Sequence, residues 1–201
     1  MSTGIDIKFV QERYQRMSDD ELIRIATQDA YGLTPEAMDV VKAEIQKRGL
    51  DENISKGIEA QNREYTIEEI DAYCDLASNL SCPSCSSTTE RLNATLTGEV
   101  MSFVFFTTYN KKIKVGCPSC LDKANNNALT KTALLGWWGF PWGIIRTPQA
   151  IALNLKSKRT NHLQDHNDYL RSFTLGVVGE LETYKDNKEK LRQVLIRQNG
   201  L

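Results

Sequence analysis

The chain has no apolar run long enough to cross a bilayer. Its most apolar stretch, residues 133–145, falls short of the ~20 residues that a spanning helix needs, and Pro141 interrupts it. A surplus of either charge is missing too: 25 basic residues face 26 acidic ones, for a net charge of −1. No global basic field exists to hold a polyanion, so broad non-specific nucleic-acid binding is disfavoured. The opening residues Met1–Lys8 lack a basic stretch followed by an apolar one, and no secretory leader is expected. There is no phosphate-cradling glycine loop and no Gly-x-Ser-x-Gly elbow; Gly136, Gly139 and Gly143 do not follow the phosphate-loop spacing. The expectation is a chain that is not an enzyme.

Cysteine carries the firmest chemistry. Four of the five cysteines form two Cys-Pro-Ser-Cys pairs, Cys82/Cys85 and Cys117/Cys120, with 31 residues between Cys85 and Cys117. Each pair is a tight turn that can aim two sulfurs at one ion, while nearby backbone N–H groups stabilise the thiolates. Without a secretory leader the pattern argues for metal rather than disulfides, and a reducing cytoplasm is the natural compartment. Four thiolates suit one Zn²⁺ in a tetrahedron with no position left for a catalytic water, so the ion is expected to be structural. Such a site adds about −2 to the charge. The fifth cysteine, Cys74, reads as a small core residue.

Around this motif the sequence predicts an α+β chain: an N-terminal helical hairpin, a four-cysteine zinc ribbon with antiparallel strands, and C-terminal helices. Ile7, Val10, Tyr14 and Met17 recur at helical spacing, and Ser18 with Glu21 forms a capping box. Thr34-Pro35-Glu36 opens a further helix that closes at Lys47-Arg48-Gly49. Thr66 and Glu69 make another capping box. Polar residues 51–65 read as a linker or a marginal helix. The expected segments are 1–65 (helical region and linker), 66–125 (ribbon), 126–160 (apolar helix–bend–helix) and 161–201 (C-terminal helix). Within the ribbon, Met101–Tyr109 is rich in strand formers, with a turn expected at Asn110-Lys111.

The least ordinary stretch runs from Ala133 to Ile145 and holds all three tryptophans, Trp137, Trp138 and Trp142, with three glycines and Pro141. Two short apolar helices, 128–138 and 148–156, joined by a glycine-rich bend would accommodate it. Three readings are open: a packing corner, an interfacial membrane anchor supported by nearby basic residues such as Arg146, or a protein-docking patch. Trp137, Trp138, Phe140, Trp142 and Arg146 are the candidate contact residues.

The two Cys-Pro-x-Cys turns, the β-rich spacer, and then Leu-Leu-Gly-Trp-Trp-Gly-x-Pro-Trp-Gly with Thr147-Pro148 and Asn154 resemble an uncharacterised group of bacterial zinc-ribbon proteins. The likeness covers residues 82–155 well. A looser one over 18–50, carried by Tyr31, Pro35-Glu36-Ala37, Glu44 and Lys47-Arg48-Gly49, resembles a helical element upstream of such ribbons. The resemblance implies a fold, a metal site and proximity to a membrane, and it brings no activity with it.

The leading expectation is thus a cytoplasmic zinc-ribbon binding or scaffold protein. It would act through protein–protein contact or by peripheral docking of the Trp/Gly segment at the inner face of a membrane. The alternative is a nucleic-acid-binding ribbon using Lys111, Lys112 and Lys114 at a hairpin tip, beside Phe105, Phe106 and Tyr109. His162 and His166 would share a helix face near Asp165 and Asp168, and read as solvated surface rather than a second metal site.

Overall fold

The computed structural model describes residues 7–201. The chain divides into two compact units, Met1–Glu69 with Leu175–Leu191, and Ile70–Thr174 with Arg192–Leu201.

The first unit is helical. Helices α1 (Ile7–Gln15), α2 (Asp19–Gln28), α3 (Pro35–Lys47) and α4 (Asn53–Gln61) gather Tyr14, Leu22, Ala26, Val41, Ile45, Ile54 and Ile58 into one core. The start signals act as the sequence predicts: Ser18 and Glu21 cap each other's backbone, and Thr34 Oγ1 accepts from the Ala37 N–H ahead of Pro35. Gly49 adopts φ +66°, the left-handed conformation that ends α3. Arg48 then turns back, donating to the carbonyls of Tyr14, Gln15 and Met17 and pairing with Glu44 and Asp19. It thereby satisfies carbonyls that the end of α1 leaves open.

Residues 51–65 are more than a linker. Ile54, Gly57, Ile58 and Ala60 give α4 one buried face, while its polar residues occupy the other. That face packs on α9 (Val178–Thr183), where Gly57 lies against Thr183 and the Gly179 carbonyl. The C-terminal segment contains three helices: α8 (Asp168–Gly176), α9, and α10 (Lys188–Asn199). Between Thr183 and Lys188, Tyr184–Asn187 interrupt the helical pattern.

In the second unit, α5 (Ile67–Ser78) leads to the only sheet among the described residues. This is an antiparallel pair, β1 (Asn93–Phe103) and β2 (Phe106–Gly116). Helices α6 (Pro118–Leu135) and α7 (Trp142–Lys158) follow and pack on each other and on β1, leaving β2 as the outer strand. The register runs from Asn93↔Gly116 to Phe103↔Phe106, so Val104 and Phe105 make the turn. The turn expected at Asn110-Lys111 is corrected: those residues lie mid-strand, opposite Glu99 and Gly98. The reason is tertiary. The Phe140 N–H donates to the Val104 carbonyl at 3.3 Å and Val104 bridges to Gly139, which holds a turn that local preference would not choose. Val104 sits at φ +35°, a costly value for a β-branched residue.

Helix side chains close the open edges of the sheet. Asn154 of α7 behaves like one more peptide unit: its Oδ1 accepts from the Gly98 N–H (3.2 Å) and its Nδ2 donates to the Gly98 carbonyl (2.7 Å). Thr132 accepts from the Val100 N–H, and Asn125 reaches the Leu96 carbonyl. On β2, Asn199 makes the same two-way pairing with Val115. An edge strand's unpaired backbone groups are thus satisfied inside the unit.

Candidate metal centre and apolar tip

The two cysteine turns bracket the hairpin. The first is a tight loop in which the Cys82 N–H donates to the Ser87 carbonyl (2.8 Å) and the Ser86 N–H to that of Cys82 (2.8 Å), with Ser86 at φ +59°. The second is helical: Cys117 is the N-cap of α6, Pro118 takes the first helical position, and Cys120 lies in the first turn. The four sulfurs all lie within 4.8 Å of one another, and Cys85 Sγ stands 3.7 Å from Cys117 Sγ. A tetrahedral ion with metal–sulfur bonds of ~2.3 Å has sulfur–sulfur edges of about 3.8 Å, so the spacing fits. Cys82 and Cys117 are buried and Cys85 is exposed.

The local fields favour thiolates unequally. Burial acts to raise the Cys82 thiol, but N–H groups of Cys117, Cys85 and Ser84 outweigh it and bring it down to about 7. Burial pushes Cys117 up, and it pushes Cys120 up further with the help of the neighbouring sulfurs. Four close thiols cannot all ionise without a cation among them. Lys114 and Lys123 line the cavity beside Cys85 and Cys120, where they offset the negative charge of such a cluster. The four cysteines can therefore hold a metal ion.

The Trp/Gly segment lies between α6 and α7, which are longer than the two helices expected. Its glycines face inward and its aromatics outward. A Cβ on Gly139 would come 2.5 Å from Thr107 Oγ1 and 2.9 Å from Ser102 Cβ; one on Gly143 would meet the Gly136 carbonyl at 2.6 Å; one on Gly136 would collide with Thr147. These contacts draw the bend onto the hairpin and turn the intervening side chains to solvent. Trp138 is 70%, Phe140 77% and Phe105 94% exposed, and Trp137 and Trp142 are exposed as well. Phe103, Val104 and Phe106 of the hairpin turn join them, as do Leu134, Leu135, Ile144 and Ile145 of the helix ends. The packing-corner reading is corrected here: the glycines pack and the tryptophans do not. Trp138 Nε1 donates to the Leu134 carbonyl, whereas among the described residues the indole N–H groups of Trp137 and Trp142 meet no acceptor.

The three lysines are not at the tip. They are spread along β2, with Lys111 near Tyr109 and Lys114 near the cysteines. Arg146, one turn into α7, also approaches the Tyr109 ring. The histidines do not share a helix face either, because residues 161–167 are irregular. His162 contacts Asp122 (3.1 Å), while His166 lies beside Asp71 and Asp75. Asp71, Cys74 and His166 come close enough to ligate, but Arg171 already holds Asp71 (2.8 Å) and Arg91 contacts His166 (3.1 Å). Cys74 is buried against Thr174, and burial raises its thiol. Sequence reasoning missed that Phe103–Phe106 shares a surface with the tryptophans; four apolar residues without alternation were the available sign.

No protein-family model, curated protein or solved structure matches the chain. No helix among the described residues is long and apolar enough to cross a membrane.

Proposed function

We propose that this chain is a non-enzymatic, zinc-stapled docking protein that seats its aromatic tip in the interfacial layer of a membrane. Zinc is the ion that best suits four thiolates without a redox role, and Cys82, Cys85, Cys117 and Cys120 would hold it with no open position for water. Bound there, it supplies cross-linking of the hairpin base rather than catalysis.

The observation that carries the membrane reading is the tip itself. Two chain segments distant in sequence, 103–106 and 134–145, meet at the bridge between Val104 and Gly139, and both expose large apolar side chains, Phe, Leu, Ile, Val and Trp, at the turn end of the hairpin. Isolated surface hydrophobics are ordinary, but a contiguous apolar patch marks an interaction site. Trp142, whose indole N–H meets no acceptor among the described residues and which has Lys111 and Arg146 beside it, matches the headgroup boundary, where one side of the ring is apolar and the other wet. A second copy of this chain is the other occupant such a patch could take.

Purified protein tests both halves. Elemental analysis should give about one zinc per chain, as four thiolates to one ion require. Wild type should co-sediment with phospholipid vesicles, and a variant with Trp137, Trp138, Phe140 and Trp142 replaced by Ser should stay in the supernatant. Wild type that ignores vesicles, yet forms a dimer which the variant does not, would assign the tip to self-association.

A further inference from the structure

Next to the aromatic tip lies a small cavity of about 410 Å³ lined by Thr107, Tyr109, Lys111, Trp142 and Arg146. Its chemistry is one-sided. Lys111 Nζ stands 5.0 Å and the Arg146 guanidinium 5.8 Å from the Tyr109 ring centre, and both residues line the same cavity. Among the described residues no carboxylate lines the cavity. Arg146 spends one N–H on the neutral Gln149 (3.1 Å). Thr107 adds a hydroxyl that touches Ser102, and Tyr109 adds a phenol whose ionisation burial pushes up, so it remains a donor. Two uncompensated cations with two hydroxyls describe a receptor for a compact oxyanion.

The geometry points to a phosphate subsite, formed by Lys111, Arg146, Tyr109 and Thr107, that takes the headgroup phosphate of an anionic phospholipid while Trp142 and its neighbours enter the interfacial layer. The inference rests on the membrane reading above and deepens it. Trp142 belongs to both the cavity and the exposed tip, so a lipid seated there would meet the cations with its phosphate and the indole with its glycerol and upper chain. A free phosphate would use the same cations but gain nothing from the apolar side.

Vesicle titration separates the possibilities, using phosphatidylcholine vesicles with and without phosphatidylglycerol, on wild type and on the K111Q/R146Q double variant. Both substitutions are on exposed side chains, and circular dichroism with metal content confirms folding. A juxtamembrane cation contributes about fivefold in affinity for an anionic surface, so with two of them wild type should prefer the anionic vesicles by about 25-fold. The double variant should lose that preference and still co-sediment with vesicles of either composition through its tryptophans. A double variant that keeps the preference overturns the subsite and leaves the membrane reading standing. Wild type that binds neither vesicle overturns both. Saturable binding of inorganic phosphate without vesicles, abolished in the double variant and accompanied by no anionic-vesicle preference, assigns the cavity to a soluble phosphate and overturns the lipid source. Single-stranded DNA bound by wild type and not by the variant, again without vesicle preference, overturns it in favour of nucleic acid.

Discussion

Asn154 and Thr147 stand seven residues apart on α7, both fully buried, and their polar atoms meet opposite fates. Asn154 satisfies both backbone groups of Gly98, whereas Thr147 Oγ1 has no hydrogen-bond partner among the described residues. Losing a buried partner costs about 1–3 kcal/mol per orphaned group, so Asn154→Leu should destabilise the protein by about 3 kcal/mol. Thr147→Val removes an orphan and keeps the shape, and should leave stability unchanged or raise it by about 1 kcal/mol. Urea midpoints at unchanged slope provide the comparison. If both substitutions destabilise alike, the edge pairing described for Gly98 is wrong. Neither role could be read from sequence: an asparagine in a helix gives no sign that it will mimic a strand. The cysteines are the opposite case, since their spacing pairs them as ligands able to share one ion before any fold is known. Capping residues such as Ser18, Glu21 and Thr34 were equally legible, because a cap acts within three or four residues of itself.

Among the elements, the hairpin and the helix bend explain each other. The hairpin turn lies at Val104-Phe105 because the bend hydrogen-bonds to it, and the bend is tight because Gly136, Gly139 and Gly143 admit backbone where a Cβ would not fit. Local propensity suggests Asn110-Lys111 for the turn and cannot register a partner some 35 residues downstream. A similar limit leaves α4 open between linker and marginal helix, because its few apolar residues form a buried face only with α9 to cover it. Gly143→Ala should cost about 1–3 kcal/mol, because its Cβ would press on the Gly136 carbonyl, which is backbone and cannot rotate away. Gly176→Ala, with open space around it, should leave the thermal midpoint where it is. Equal midpoints for wild type and Gly143→Ala would mean that the bend does not close against Gly136 and Ser102 in solution.

At the scale of the molecule, the chemistry of the second unit falls at two places along one hairpin. Cysteines gather where the strands begin and end, and aromatics gather where they turn. The candidate metal site and the exposed aromatic tip are thus built from separate residues, with β1, α6 and α7 between them. Distribution of the tryptophans makes this testable without a label, because Trp137, Trp138 and Trp142 are the only ones in the chain. Intrinsic tryptophan fluorescence therefore reports on the tip alone. The decisive measurement is its quenching by lipids brominated near the headgroup end of the acyl chain, in vesicles that bind the protein. Insertion of the tip requires strong quenching and a blue-shifted emission. Emission that stays red and unquenched while the protein is vesicle-bound would mean that another surface makes the contact.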